Sequence, residues 1–349
     1  VKQLYFEKIR FINKKSRMKK NKFLGFIIVV ATLLGAKTAD AQQDAQFSQY
    51  MFNGLYINPA YAGYREQWNV NAFYRNQWTG FPGAPKSISL AADGTVHDNR
   101  AGLGFQIVND VLGAQNNTSL YGNYAYRIPL GVNEYEGKTL SLGFGIGVLQ
   151  NRLNINMLDP NQQGDPTIIS AAKTKIMPDA KVGVFYNSDH FYIGASASNL
   201  ITNSWNRKDD IKGVYVIPKL HWYLTAGGLV PLSENVSWKP SFLLKDDLAG
   251  PTSLDVNSMF LLQKLLWVGA SYRTAIPSFY TKPAFATDLQ KSADVVGLLE
   301  LMVNEKLRIG YAYDYSLNAK TTQKFSTHEI SLGFFFPNKK RAMLSPRYF

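Results

Sequence analysis

Along most of the chain, apolar and polar residues alternate with a period of two. Leu140, Leu142, Phe144, Ile146 and Val148 share one parity, while Ser141, Gly143, Gly145 and Gly147 hold the other. Leu307, Ile309, Tyr311, Tyr313 and Tyr315 interleave in the same way with Arg308, Gly310, Ala312, Asp314 and Ser316. The pattern returns in Ala180, Val182, Val184 and Tyr186, and in Leu266, Val268, Ala270 and Tyr272, whose neighbours include Lys181, Gly183, Ser271 and Arg273. Successive side chains of a strand point to opposite faces, so each segment reads as a strand with one greasy and one wet face. The whole chain predicts about fourteen strands, near 68–78, 85–93, 100–109, 118–128, 138–152, 177–187, 190–200, 216–231, 235–246, 252–263, 265–276, 293–303, 306–317 and 325–336.

The connections between these strands come in two sizes. Asn187-Ser188-Asp189, Leu232 to Asn235, Gln263-Lys264 and Asn304-Glu305 are tight, whereas Asn154 to Lys175, Thr202 to Lys212 and Pro277 to Lys291 are much longer. Bacterial outer-membrane barrels have short periplasmic turns and long outer loops. The expected fold is therefore all-β, a transmembrane antiparallel β-barrel of the outer membrane with both chain ends periplasmic. A lipid-facing Arg near the midplane costs about 2 to 4 kcal/mol, so Arg308 and Asp314 are expected to point inward. A soluble β-sandwich would alternate similarly strand by strand. Against it stand aromatic residues at strand ends, Trp78, Phe81, Trp205, Trp222, Trp238, Tyr272 and Tyr348, because amphipathic rings collect at membrane interfaces.

The N-terminal region reads as targeting chemistry. Met18-Lys19-Lys20-Asn21-Lys22 is a basic start, preceded by what reads as an upstream extension, and Phe23 to Ala36 is an apolar run of 14 residues. Ala39-Asp40-Ala41 then fits signal-peptide cleavage before Gln42. A spanning helix needs roughly 17 to 25 residues, so the run is too short for an anchor. The expected division is 1–41 extension and signal peptide, 42–67 an N-terminal plug-like segment, 68–336 the barrel and 337–349 a periplasmic tail.

Removing residues 1–41 changes the charge picture. They carry 10 of the 38 Lys and Arg and 2 of the 25 Asp and Glu, which takes the net charge from +13 to +5. Nucleic-acid binding loses its main support, and the remainder suits outer-membrane lipid head groups. There is no cysteine, hence no disulfide, thiolate nucleophile or cysteine-zinc site.

Catalytic and metal motifs do not emerge. His97, His190, His221 and His328 are scattered singly, without a metal-binding pair. The pairs Asp209-Asp210 and Asp246-Asp247 fall in expected outer loops, where solvated charge suits them better than acid-base work. Gly143, Gly145 and Gly147 repeat with period two, unlike a phosphate loop that leads from strand into helix. No enzyme, cofactor or metal is expected.

One stretch is distinctive: Gln46-Phe47-Ser48-Gln49-Tyr50-Met51-Phe52-Asn53, followed by Ile57-Asn58-Pro59-Ala60-Tyr61-Ala62-Gly63. It resembles the opening signature of the PorP/SprF family, and the likeness continues through Asn76-Gln77-Trp78, Phe81-Pro82-Gly83-Ala84-Pro85 and Gly102-Leu103-Gly104 to Ser345-Pro346-Arg347-Tyr348-Phe349. The resemblance implies a component of the type IX secretion and gliding machinery of Bacteroidetes. Such a component would assist secretion or surface anchoring of a cognate large surface protein with a C-terminal targeting domain, alongside other secretion components. The family pattern carries no catalytic residues.

Physical reasoning adds how such a barrel would act. Fourteen strands enclose a lumen wider than that of eight strands yet narrower than an open porin of 16 to 18, too narrow for a folded protein. Partner contact is expected on the long outer loops or lumen mouth, where Trp205, Phe279 and Tyr280 serve either as aromatic anchors for the partner or as rings at the lipid head-group level. Tyr50, Phe52, Tyr56, Tyr61 and Tyr64 are too many aromatic residues for a free tail, since exposing each forgoes about 1.5 kcal/mol or more. They are expected to dock in the lumen or, alternatively, on a periplasmic ring component. Gln46, Phe47, Asn58 and Pro59 belong to the same candidate surface, whereas Arg347, in the tail with Lys339, Lys340 and Arg341, is expected either to meet an acidic partner surface beneath the membrane or to stay solvated. The rival reading is a solute transport barrel in which the N-terminal segment is a plug; a lipid-acting enzyme built on His221 or His328 is a more distant one.

Overall fold

Period-two alternation closes on itself. The structure, a computed structural model, describes residues 46–97, 99–130, 137–154, 157, 174–202, 218–248, 252–276, 293–317 and 326–336. Their strands are β1 (Trp68–Thr79), β2 (Lys86–Val96), β3 (Ala101–Leu112), β4 (Gln115–Pro129), β5 (Thr139–Leu153), β6 (Lys175–Asn187), β7 (Phe191–Ser198), β8 (His221–Gly228), β9 (Val230–Ser233), β10 (Val236–Asp246), β11 (Thr252–Leu262), β12 (Leu266–Ile276), β13 (Ala293–Met302), β14 (Leu307–Ser316) and β15 (Ser326–Phe336). All pairings are antiparallel, and β1 joins β15 from Trp68 opposite Phe336 onward, so the sheet has no free long edge. Both β8 and β9 pair with β10. They are two pieces of one stave, giving fourteen staves from fifteen strands.

Two local departures from the expected pattern have physical causes. The strand expected over 216–231 begins at His221 and is interrupted at Leu229. The Gly227-Gly228 pair favours no extended run, and Pro231 has no N–H to give the ladder. Asp246, expected in an outer loop, is the last residue of β10, and both it and Asp247 are buried.

One end of the barrel holds the start of β1, the end of β15 and the turns after β2, β4, β6, β9, β11 and β13. We call it the terminal end. The long connections after β5, β7 and β12 leave from the opposite, loop end. The alternation has an exception there, because only Gly113 and Ala114 join β3 to β4.

The two faces of the wall match their chemistry. Leu142, Phe144, Ile146, Val148, Tyr311 and Tyr313 are exposed on the outside, while Lys181, Ser271, Arg308 and Asp314 are buried on the inside. Exposed Trp68, Tyr126, Phe191 and Phe336 ring the terminal end, and Trp78 and Phe81 lie at the loop end. Such bands suit the two head-group layers.

Candidate functional site: the occupied lumen

The buried core of this barrel is supplied largely by a segment that belongs to no strand. From Gln46 beside His221 and Asp247 toward the loop end, the chain descends through the lumen to Glu66, which pairs with Arg127 of β4 at 3.1 Å near the terminal end. It then enters β1. Three short 3-10 turns, Tyr50–Phe52, Gly54–Tyr56 and Pro59–Tyr61, fold it compactly. Two asparagines set these turns, since the Asn53 side chain accepts from Leu55 N–H at 3.2 Å and the Asn58 side chain from Ala60 N–H at 2.9 Å. Pro59 supports the third turn at its first position, where no N–H is needed.

Residues 48–53 are gripped by charge. Glu329 of β15 accepts from the backbone N–H groups of Ser48 and Gln49, at 2.8 and 2.9 Å. Arg75 of β1 bridges Glu329 at 2.9 Å and Asp314 of β14 at 2.5 Å, and the Ser48 hydroxyl donates to Asp314. Lower down, the Phe52 carbonyl accepts from Arg65 and from Arg308, and Arg308 also pairs with Glu300 at 3.2 Å. Lys239 donates to the Met51 carbonyl at 3.1 Å and lies over the Phe52 and Trp267 rings. These side chains are nearly all sequestered from water. Charge-assisted bonds of this kind are roughly twice as strong as neutral ones, and losing one partner strands the other.

Residues 54–64 are held by shape. Ala60 and Ala62 press against the wall at Gly143 and Gly102, where an added Cβ would overlap the segment's backbone. Asn58 sits against Gly183 and donates to the Val184 carbonyl at 2.9 Å, and the Ser196 hydroxyl donates to the Ile57 carbonyl at 2.8 Å. Tyr61, Tyr64, Phe185 and Tyr192 form a chain of ring contacts with centroids 5.1 to 5.7 Å apart. Each buried aromatic side chain contributes about 1.5 to 3 kcal/mol through area removed from water.

Gln46, Phe47, Tyr50, Phe52, Asn58, Pro59 and Tyr61 are thus brought together in the lumen. Phe47 stacks on Phe73 at 5.2 Å, and the Tyr50 hydroxyl accepts from Asn257 at 2.6 Å. Tyr56 reaches Ser89 at 3.0 Å and is only half-buried, whereas Tyr50, Phe52, Tyr61 and Tyr64 are fully covered. Trp205, Phe279, Tyr280 and Arg347 lie outside the described residues, as do the expected signal peptide over 1–41 and the expected tail over 337–349. Sequence reasoning missed the wall partners Arg75, Lys239, Glu300 and Glu329. Their signal was an ionisable residue on the inward parity of an otherwise apolar strand, the feature that did single out Arg308 and Asp314.

The His221 Nδ1 lies 2.9 Å from the Lys219 carbonyl. His328 faces outward, with Tyr311 Oη 2.8 Å from Nδ1 and Ser326 Oγ 3.2 Å from Nε2. Above the segment, toward the loop end, a vestibule remains that is bordered by Gln46, Phe47 and Tyr50.

A closed fourteen-stave barrel with a greasy exterior, aromatic bands and a polar lumen defines an outer-membrane protein, here with the lumen occupied by its own chain. Among solved structures it is similar to the CymD monoaromatic hydrocarbon channel, with a TM-score of 0.50 and 11% identity over 82% of this chain and 93% of that one. It also matches the Acinetobacter baumannii outer membrane protein Omp33 (TM-score 0.43, 9% identity, 78% of this chain and 100% of that one). A further match is the Pseudomonas putida toluene transporter TodX (TM-score 0.41, 11% identity, 85% and 94%). At such identities the likeness to CymD is one of fold. No curated protein matches the sequence. The profile of the type IX secretion system membrane protein PorP/SprF matches residues 39–334, and the chain belongs to that family. It is therefore an outer-membrane protein of type IX secretion whose partners include other components of that system.

Proposed function

We propose that this barrel is a non-catalytic docking component that helps export or anchor one cognate large surface protein, engaging it at the loop end. The observation that carries the reading is the lumen filled by residues 46–66 in a chain of the PorP/SprF family. A barrel stoppered by its own chain is suited to hold a partner at its mouth and ill suited to conduct one. In this reading the terminal end faces the periplasm, where the secretion machinery lies, and the long loops face outward. Gliding and adhesion follow if the cognate protein is a motile surface adhesin.

The solute-channel reading draws less support. The likeness to a monoaromatic hydrocarbon channel extends to the fold only, and the segment of residues 46–66 packs against the inner wall. Deleting the gene tests the proposal directly. One specific large protein is expected to vanish from the cell surface while other secreted proteins persist; unchanged surface and culture-fluid proteomes contradict it.

A further inference from the structure

The segment in the lumen has a direction, and the direction fixes where its beginning lies. At one extreme Glu66 pairs with Arg127 of β4, and its carbonyl accepts from the Thr95 hydroxyl of β2 at 3.3 Å. Two residues later β1 starts at Trp68, opposite Phe336, on the terminal end. At the other extreme Ser48 bonds to Asp314, Arg75 and Glu329. Gln46 borders the vestibule with His221, the first residue of β8, and Asp246, the last of β10, both at the loop end. Residues 46–66 therefore run down the lumen from loop end to terminal end, and β1 runs back up beside them.

The chain before Gln46 is too short to return. Lys245 also borders the vestibule, and Val236, nine residues earlier, opens β10 at the terminal end. Nine residues of strand rise roughly 30 Å. At barrel tilts of about 35–45° that is more than about 20 Å of depth. With the expected cleavage before Gln42, only Gln42-Gln43-Asp44-Ala45 precede Gln46, and fully extended they reach about 14 Å. Fourteen staves by themselves put the start of β1 and the end of β15 on one side. The passage through the lumen adds a fifteenth crossing and makes the count odd.

We propose that residues 46–66 are a further crossing of the membrane, so that the processed chain begins at the loop-end mouth, on the opposite side from Phe336. This departs from the expected topology, in which both chain ends are periplasmic. In the docking reading, on which this second step rests, the amino-terminal end of the barrel joins the long loops in the face offered to the exported polypeptide.

The chain has no cysteine, so single cysteines in the full-length barrel report the side of each position. Asp44→Cys marks the chain before Gln46. Pro82→Cys marks the exposed connection from β1 to β2 at the loop end, and Glu305→Cys the exposed turn after β13 at the terminal end. On intact cells a membrane-impermeant maleimide is expected to label Asp44→Cys and Pro82→Cys alike, and Glu305→Cys at least tenfold less until the outer membrane is permeabilised. Asp44→Cys behaving as Glu305→Cys does, and unlike Pro82→Cys, overturns the crossing. Should Asp44→Cys stay silent throughout, an epitope inserted between Gln43 and Asp44 decides. Antibody binding on the side where Pro82→Cys labels upholds the crossing, and binding on the other side or on neither overturns it. If Glu305→Cys labels on intact cells while Asp44→Cys and Pro82→Cys wait for permeabilisation, the crossing stands and the docking reading, which needs the loops outside, fails.

Discussion

Residues 48–53 and residues 54–64 fill one lumen by different means. The first stretch is tied through its backbone groups to Glu329, Arg308 and Lys239, each of which carries charge. The second fits a hollow made by absent side chains, at Gly102, Gly143 and Gly183, and needs few ions. Shape complementarity tolerates no added volume, because neither a strand backbone nor a packed turn can retreat. Charge complementarity tolerates volume better but fails when one partner is lost. The lower half of the segment therefore behaves as a fixed stopper, and the upper half as a held strap next to the vestibule.

The largest expected effect comes from filling the hollow. Gly143→Val drives two methyl groups into the Ala60 backbone, with an expected cost of about 4 kcal/mol or more for keeping the segment seated. Trypsin should then cut after Arg65, which is buried in the native barrel, within minutes. Retained resistance would break the distinction between the two halves. Next is Glu329→Ala, which frees the N–H groups of Ser48 and Gln49 and leaves Arg75 short of a partner. Urea unfolding in detergent should register a loss of about 3 to 5 kcal/mol. Amide exchange should rise at 48–53 and stay slow at 54–64.

A third substitution asks about the wall alone. Ile146→Arg, outward-facing midway along β5, should cost about 2 to 4 kcal/mol in bilayer folding assays while leaving the segment protected. Smallest is Asn58→Ala, which removes a turn cap and a bond to the Val184 carbonyl. A loss of about 1 to 2 kcal/mol by urea titration is expected, with faster exchange confined to the third turn.

How much of this was legible follows the same division. Parity fixed the wall, because lipid outside and polar lumen inside act on every strand with the same period. Strands such as β5, β12 and β14 fall within a residue or so of their expected bounds. The interruption at Leu229 was not legible, since Pro231 and the Gly227-Gly228 pair weaken a strand without stating where pairing stops. The aromatic residues of the segment announced that they dock, and lumen packing was the favoured expectation. Their partners were invisible. Ser48 and Glu329 are 281 residues apart, and only the barrel's closure through β1 and β15 brings them together. Glycines of the hollow read as packing positions, but nothing local could say that Ala60 would fill one of them.

The central claim is that residues 46–66 close the lumen, and conductance across a planar bilayer tests it most directly. The purified barrel should insert without opening a steady ohmic pore, and Gly143→Val should open one. A persistent wild-type conductance of the size seen for unobstructed barrels would contradict the account.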